Sequence, residues 1–305
     1  MKRPHIVILI PIFEDFLCLP ILFSRIDQAL KNICSYEILV IDDGSLKNIG
    51  EKKELFNSKN INVLTLSQNV GHQRSITIGL CHLSERKDFD FVLIMDGDGE
   101  DNPLDAKKLL EKATALNHSS IIFARREVRS EPLLFRLGYF IYRIVFRVCT
   151  GKNIKFGNFS LVPSNMLDRL TGIPELWNHY ASGVMVSKLP FYEVATERSG
   201  RINGRPKMNV FSLVLHGIGS ITNFIKDFAL RLSLFLTFTL LTSITLKIVS
   251  KFDKYSFLEL YNISDLIIIL SIITFQSYIF LISTISKRSN APCIPSKFWK
   301  FFITK

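Results

Sequence analysis

Phe91-Val92-Leu93-Ile94-Met95-Asp96-Gly97-Asp98-Gly99-Glu100-Asp101 is the stretch that decides how the chain is read. Five apolar residues in a row have the length and composition of a strand buried on both faces of a sheet. They run directly into a turn of acids and glycines. Asn102-Pro103 then supplies an N-cap and a first helical position. The stretch therefore predicts strand, acidic turn and helix, and similar runs surround it. Strands are expected at His5–Pro11, Tyr36–Ile41, Ile61–Leu66, Phe91–Met95 and Ser120–Ala124. Helices are expected at Leu17–Ile33, Ile49–Ser58, His72–Leu83 and Leu104–Leu116. This alternation implies an α/β domain built on a Rossmann-like, mostly parallel, doubly wound sheet. Ligands of such sheets bind beyond the carboxyl ends of the strands.

Those ends are acidic. The first strand leads into Pro11-Ile12-Phe13-Glu14-Asp15, the second into Asp42-Asp43-Gly44-Ser45, and the fourth into Asp96–Asp101. Carboxylates gathered on one edge of a sheet repel one another unless a cation joins them. All-oxygen donors suit Mg²⁺ or Mn²⁺, with substrate phosphates completing the shell. Glu100 and Asp101 have a second explanation, since first-turn acidity favours the dipole of the following helix.

Of the 305 residues, 48% are hydrophobic and 21% charged, with a mean hydropathy of +0.24. The 25 phenylalanines exclude a disordered chain. Five scattered cysteines without a CxxC exclude a disulfide scaffold and structural zinc. The net charge of +11 suits a phosphate-rich partner or an anionic membrane surface.

Two runs, Leu230–Val249 and Ile263–Ile285, each reach the roughly 20 apolar residues that cross a bilayer core. The expected layout is a catalytic domain over 1–208, an amphipathic juxtamembrane segment over 209–228, and two transmembrane helices with a basic tail over 229–305. No signal peptide is recognised before the globular part, and Lys287, Arg288, Lys297, Lys300 and Lys305 crowd the tail. By the positive-inside rule, an integral protein with two spans and both termini cytoplasmic is expected. Leu133–Val148, apolar with Arg136, Arg143 and Arg147, reads either as a helix on lipid headgroups or as a core helix with solvated arginines.

The strand-end motifs resemble family 2 glycosyltransferases of the GT-A fold, and most closely their membrane-anchored polyprenyl-phosphate sugar transferases, the dolichol-phosphate mannosyltransferase and bactoprenol glucosyltransferase type. The family patterns VPVYNE, DDGS and MDADLQD correspond to IPIFED, IDDGS and MDGDGED here. Gly157-Asn158-Phe159-Ser160-Leu161 resembles the family's GDFRL, and Arg201–Lys207 resembles its RxxGxSK. The resemblance implies an inverting, metal-dependent transferase. Pro11, Phe13, Asp15, Ile41, Asp43, Asp96 and Gly97 would line the nucleotide, and Asp98 and Glu100 would hold Mg²⁺ or Mn²⁺. Asp96, Asp98, Asp101, Arg125, Arg201 and Lys207 would make up the catalytic set, with Arg201 and Lys207 on the acceptor side. Implied partners are a nucleotide-sugar donor, a polyprenyl-phosphate acceptor and the bilayer, with no nucleic acid; a homo-oligomer is left open. Phe13 for Tyr, Asn158 for Asp and Ser160 for Arg depart from the family pattern.

The chemistry is consistent. A sugar leaving a diphosphate puts negative charge on the nucleotide, which a divalent cation stabilises. A phosphate acceptor is already ionised at neutral pH and barely requires a base. Alternatives are a transferase acting on another membrane lipid or glycan, a phosphatase using Asp96 as nucleophile, and an inactive tethered binding module.

Overall fold

The computed structural model describes residues 3–46, 60–126, 133–197, 200–202, 210–252, 265–278 and 293–304. The expected helix Ile49–Ser58 lies outside them. The strands are β1 (His5–Ile12), β2 (Ser35–Asp42), β3 (Ile61–Thr65), β4 (Phe91–Ile94), β5 (Ile121–Arg126), β6 (Ser160–Pro163) and β7 (Phe191–Thr196). They form one sheet in the order β3-β2-β1-β4-β6-β5-β7. β1, β2, β3 and β4 are mutually parallel where they pair, as are β5 and β7; β6 runs antiparallel to both β4 and β5.

Alternation along β1 sends its two sets of side chains into different layers. Ile6, Ile8, Ile10 and Ile12 join a core with α1 (Leu19–Leu30) and α3 (Asp105–Ala115). Leu9 points the other way, toward Gly79 of α2 (His72–Ser84). In α1 the buried Leu19, Leu22, Ile26 and Leu30 recur at helical spacing, and a proline opens its first turn. Asn102 does not cap the helix as expected: its side chain accepts the Leu104 N–H at 3.1 Å within a turn, and α3 begins at Asp105, two residues after the expected first position Pro103, with Leu104 in the cap position.

The chain divides into two compact units: Met1–Tyr142, Ile154–Asn223 and Cys293–Lys305 in one, Arg143–Asn153 and Phe224–Pro292 in the other. This departs from the expected layout at three places, the first being Arg143–Asn153, expected in the catalytic domain but assigned to the second unit. The first unit extends through α7 (Val210–Thr222) to Asn223, whose buried amide donates to the Glu175 carbonyl at 2.9 Å and to Ser182 Oγ at 2.8 Å. The tail also belongs to the first unit, because Trp299 is buried there. Between α3 and α7 lie α4 (Leu133–Thr150), α5 (Leu167–Thr171) and α6 (Tyr180–Ser187).

In the second unit, α8 (Ile225–Phe252) is 28 residues long and starts before the expected Leu230. It pairs with α9 (Asp265–Tyr278) through Ser233–Tyr278 at 3.2 Å, Thr239–Ser271 at 3.3 Å and the ion pair Lys247–Asp265. As the first partner advances along α8, the second retreats along α9. The two helices are therefore antiparallel neighbours held by three polar rungs.

Candidate active site

Three strand ends and one loop build the site. After β1, Glu14 takes a left-handed conformation (φ 52°) and is tied to the β2 turn: its N–H donates to Ser45 Oγ at 2.9 Å, and its carboxylate accepts the Leu46 N–H at 2.7 Å. In that turn Asp43 is buried and accepts the N–H groups of Val70 (2.8 Å) and Gly71 (2.9 Å). Burial raises the pKa of Asp43, and those hydrogen bonds oppose the rise. Gly44 (φ +69°) lies so close to the main chain at Gln68 and Asn69 that any Cβ would overlap it.

After β4, Asp101 is buried and accepts the Asp96 N–H at 2.9 Å, closing the acidic turn on itself. Asp98 Oδ1 accepts the Glu100 N–H at 3.0 Å, leaving Oδ2 toward Arg201. The Arg201 guanidinium lies 3.4 Å from Asp98 Oδ2 and 3.1 Å from Asp15 Oδ2, bridging the first and fourth strand ends. The Ile202 N–H donates to the Asp98 carbonyl at 3.0 Å, and its side chain covers Gly99. Glu100 and Asp101 also line a small cavity with Gly157, Phe159, Thr196 and Glu197.

The start of α2 supplies the remaining wall. His72 Nε2 lies 3.2 Å from Asp96 Oδ1 and 3.0 Å from Asn158 Nδ2. Desolvation by the surrounding wall opposes charge on this imidazole, whose side chain is still 42% exposed, but Asp96, then Asp101 and Asp98, outweigh it and raise the pKa. Asn158 Oδ1 accepts from Gln73 Nε2 at 3.2 Å, and Gln73 Oε1 accepts the Tyr180 N–H at 2.7 Å. Ser160 is fully buried, donating to the Asn158 carbonyl and meeting the Tyr180 hydroxyl, both at 2.8 Å. Two of the three departures from the family pattern, Asn158 and Ser160, thus form one network, and an arginine at 160 would have no exit to solvent.

Asp15, Asp98 and Arg201 meet directly, while Asp96 and Asp101 share their turn. Arg125 pairs instead with Glu193 at 3.7 Å, on the β5–β7 side of the sheet. Phe13 is 40% exposed at the mouth. Ile41 is fully buried with its side chain toward Gly79, so a contact from it to a nucleotide would have to come from its main chain. Lys207 lies outside the described residues. His179 is structural, its Nδ1 accepting the Ser182 N–H at the start of α6. Asn158 is marked by its motif, and His72, beside Gly71, is a weaker candidate than the acids; the part of Gln73, which joins Asn158 to the Tyr180 main chain, was not evident from sequence.

The model of glycosyl transferase family 2 matches residues 7–171, more than half of the chain and all three acidic strand ends. The chain belongs to glycosyl transferase family 2. As a member it is a glycosyltransferase using a nucleotide-sugar donor. Solved family-like folds superpose on it. Glucosyl-3-phosphoglycerate synthase from Mycobacterium tuberculosis, solved with Mn²⁺, UDP and glucosyl-3-phosphoglycerate, shares 13% identity over 73% of this chain and 80% of that one, with a TM-score of 0.54. Mannosyl-3-phosphoglycerate synthase from Rubrobacter xylanophilus shares 13% over 72% of each chain, with a TM-score of 0.50. The likeness is one of fold, and it identifies the seven-stranded sheet as the GT-A architecture.

Proposed function

We propose that this glycosyltransferase moves a sugar from a nucleotide sugar to a polyprenyl phosphate at the cytoplasmic face of a membrane, with Mg²⁺ or Mn²⁺ as cofactor. The observation that carries the donor half is the bridge from Asp15 to Asp98 through Arg201, a residue expected on the acceptor side but paired here with the nucleotide-side and metal-side acids. It puts a cation between the nucleotide-side acid and the acidic turn, where a diphosphate and its metal would sit. Among the described residues no three or more His, Cys, Asp or Glu side chains form a ready-made metal cage. Asp98, with Asp96 and Glu100 beside it, offers a few hard oxygens, which fits an ion held jointly with substrate phosphates. The Mn²⁺ and UDP of the mycobacterial neighbour agree with that choice. When bound, the ion would stabilise the charge on the leaving diphosphate. The chain's own groups orient: Asp101 closes the turn, the Val70 and Gly71 N–H groups fix Asp43, and Arg201 is placed to meet an anion. Asn158 supplies no carboxylate base, and an ionised phosphate acceptor needs none.

The acceptor half rests on the apolar helices. Ile225–Thr245 is long and apolar enough to cross a membrane. Leu230, Leu234, Phe235, Phe238 and Leu241 are exposed along it, unlike the face of a core helix. α4 exposes Phe140, Ile141, Ile144, Val145 and Val148 beside its arginines, which favours a surface lying on lipid. Because residues 293–304 pack back into the first unit, the chain leaves that unit at Phe224 and returns to it. An even number of crossings satisfies this, as two spans would.

Membranes holding the protein, given UDP- and GDP-sugars with Mn²⁺ and undecaprenyl phosphate, are expected to yield a glycosylated lipid on extraction. Product only from added phosphoglycerate, the acceptor named for the structural neighbours, would move the reading to a soluble acceptor. Topology has its own expected result. With Cys293 replaced by serine, Tyr255→Cys should react with an impermeant thiol reagent on intact cells and Lys287→Cys should not. The reverse pattern would put the site away from cytoplasmic nucleotide sugars.

A further inference from the structure

We propose that the C-terminal segment Cys293–Thr304 belongs to the framework of the donor site: it clamps the chain after β3 against the Asp42–Ser45 turn, so nucleotide affinity depends on the far end of the sequence. This rests on the donor reading above.

β3 is an edge strand. The tail pairs with its outer side: Leu66 bridges Ile303 in antiparallel fashion, the Ser67 N–H donates to the Phe302 carbonyl at 2.8 Å, and the Thr304 N–H donates to the Thr65 carbonyl at 3.1 Å. Side chains anchor it. Trp299 is 3% exposed and meets His82 of α2 edge-on at 5.5 Å, Lys300 reaches Glu85 at 2.8 Å, and Phe302 lies against Trp177 at 5.7 Å.

What the tail covers is the segment that builds the nucleotide side. The Leu66 N–H donates to the Asp42 carbonyl at 2.8 Å, the Gln68–Asn69 main chain lies against Gly44, and Val70 and Gly71 donate to Asp43. Residues 66–71 therefore bond to the tail at one end and to the acidic turn at the other. Released from the tail, the segment would populate its binding-competent arrangement only part of the time. Apparent affinity would fall by that fraction.

The experiment compares the full-length protein in lipid nanodiscs with a variant ending at Pro292 and with Thr304→Pro, which removes one tail N–H. Hydrogen exchange is read first. Peptides spanning Leu64–Gly71 should exchange about tenfold faster in both variants, while α1 peptides stay unchanged. Calorimetry with UDP and GDP, each with Mn²⁺, is read second. For whichever nucleotide the full-length protein binds, the truncated variant's Kd should rise roughly threefold to tenfold. Adding a synthetic 293–305 peptide should restore it. Unchanged exchange at 64–71 overturns the proposal, as does faster exchange with unchanged Kd, the result of a purely stabilising tail. Failure of the donor reading would show separately, as full-length protein that binds neither nucleotide; the exchange result then decides the clamp by itself.

Discussion

Asp98→Asn is expected to lower sugar transfer roughly a hundredfold to a thousandfold while leaving the domain folded. Asparagine keeps the shape of the side chain, and its carbonyl oxygen can still accept the Glu100 N–H that Asp98 accepts at 3.0 Å. The acidic turn should therefore survive, as should its closure by Asp101 on the Asp96 N–H. What disappears is the negative charge facing Arg201, at the point where a divalent ion and a diphosphate would meet. Nucleotide affinity in the variant should become insensitive to EDTA, and its unfolding midpoint should stay near that of the parent. A fully active variant, or parent activity in excess EDTA, would defeat the metal-dependent scheme.

Gly44→Ala is expected to be the most damaging single-methyl change at the site. The residue has φ +69°, which costs an L-residue about 1–2 kcal/mol. Its Cβ would stand 2.4 Å from the Gln68 carbonyl carbon and 2.7 Å from the Asn69 nitrogen. Both are main-chain atoms, so no rotamer relieves the overlap and the two segments must separate, at about 1–3 kcal/mol more. The total of about 2–5 kcal/mol corresponds to a midpoint roughly 5–15 °C lower for a domain of this size. Nucleotide affinity should fall with it, because the displaced segment carries the N–H donors to Asp43. Gly71→Ala is expected to be costly for a different reason: no atom lies within 4 Å of the added carbon, but φ 90° and ψ 151° fall in a region essentially reserved for glycine. An unfolding midpoint for Gly44→Ala equal to that of the parent would show that the close crossing does not matter.

Much of this arrangement was legible because a parallel strand buried on both faces writes itself as an unbroken apolar run. β1, β2 and β4 are such runs, and the acids that follow each one mark the ligand edge. β6 escaped because it has four residues, two of them Ser160 and Pro163, and runs against its neighbours. β7 escaped because it is a half-buried edge strand with Glu193 in the middle. The bridge by Arg201 was hidden for another reason. Its partners Asp15 and Asp98 are far apart in sequence, so only the fold brings them together. The docking of the tail was hidden too: Lys297 and Lys300 read only as positive-inside charge, whereas the aromatics around them, with Trp299 inward and Phe298 and Phe301 outward, carry the docked segment.

That docked segment bears on how the enzyme can be handled. A soluble fragment cut at the first apolar helix would keep every acidic strand end and lose the cover over β3. The bare rim of a twisted sheet exposes unpaired N–H and C=O groups, a template for another molecule's strand. Here the rim would be flanked by the apolar hollow that Trp299 vacates. Such a fragment should self-associate, and poor behaviour without detergent would then reflect the missing dozen residues rather than any need for lipid. Joining residues 293–305 to the fragment through a short Gly/Ser linker, in place of the two helices, is the way to keep it monomeric.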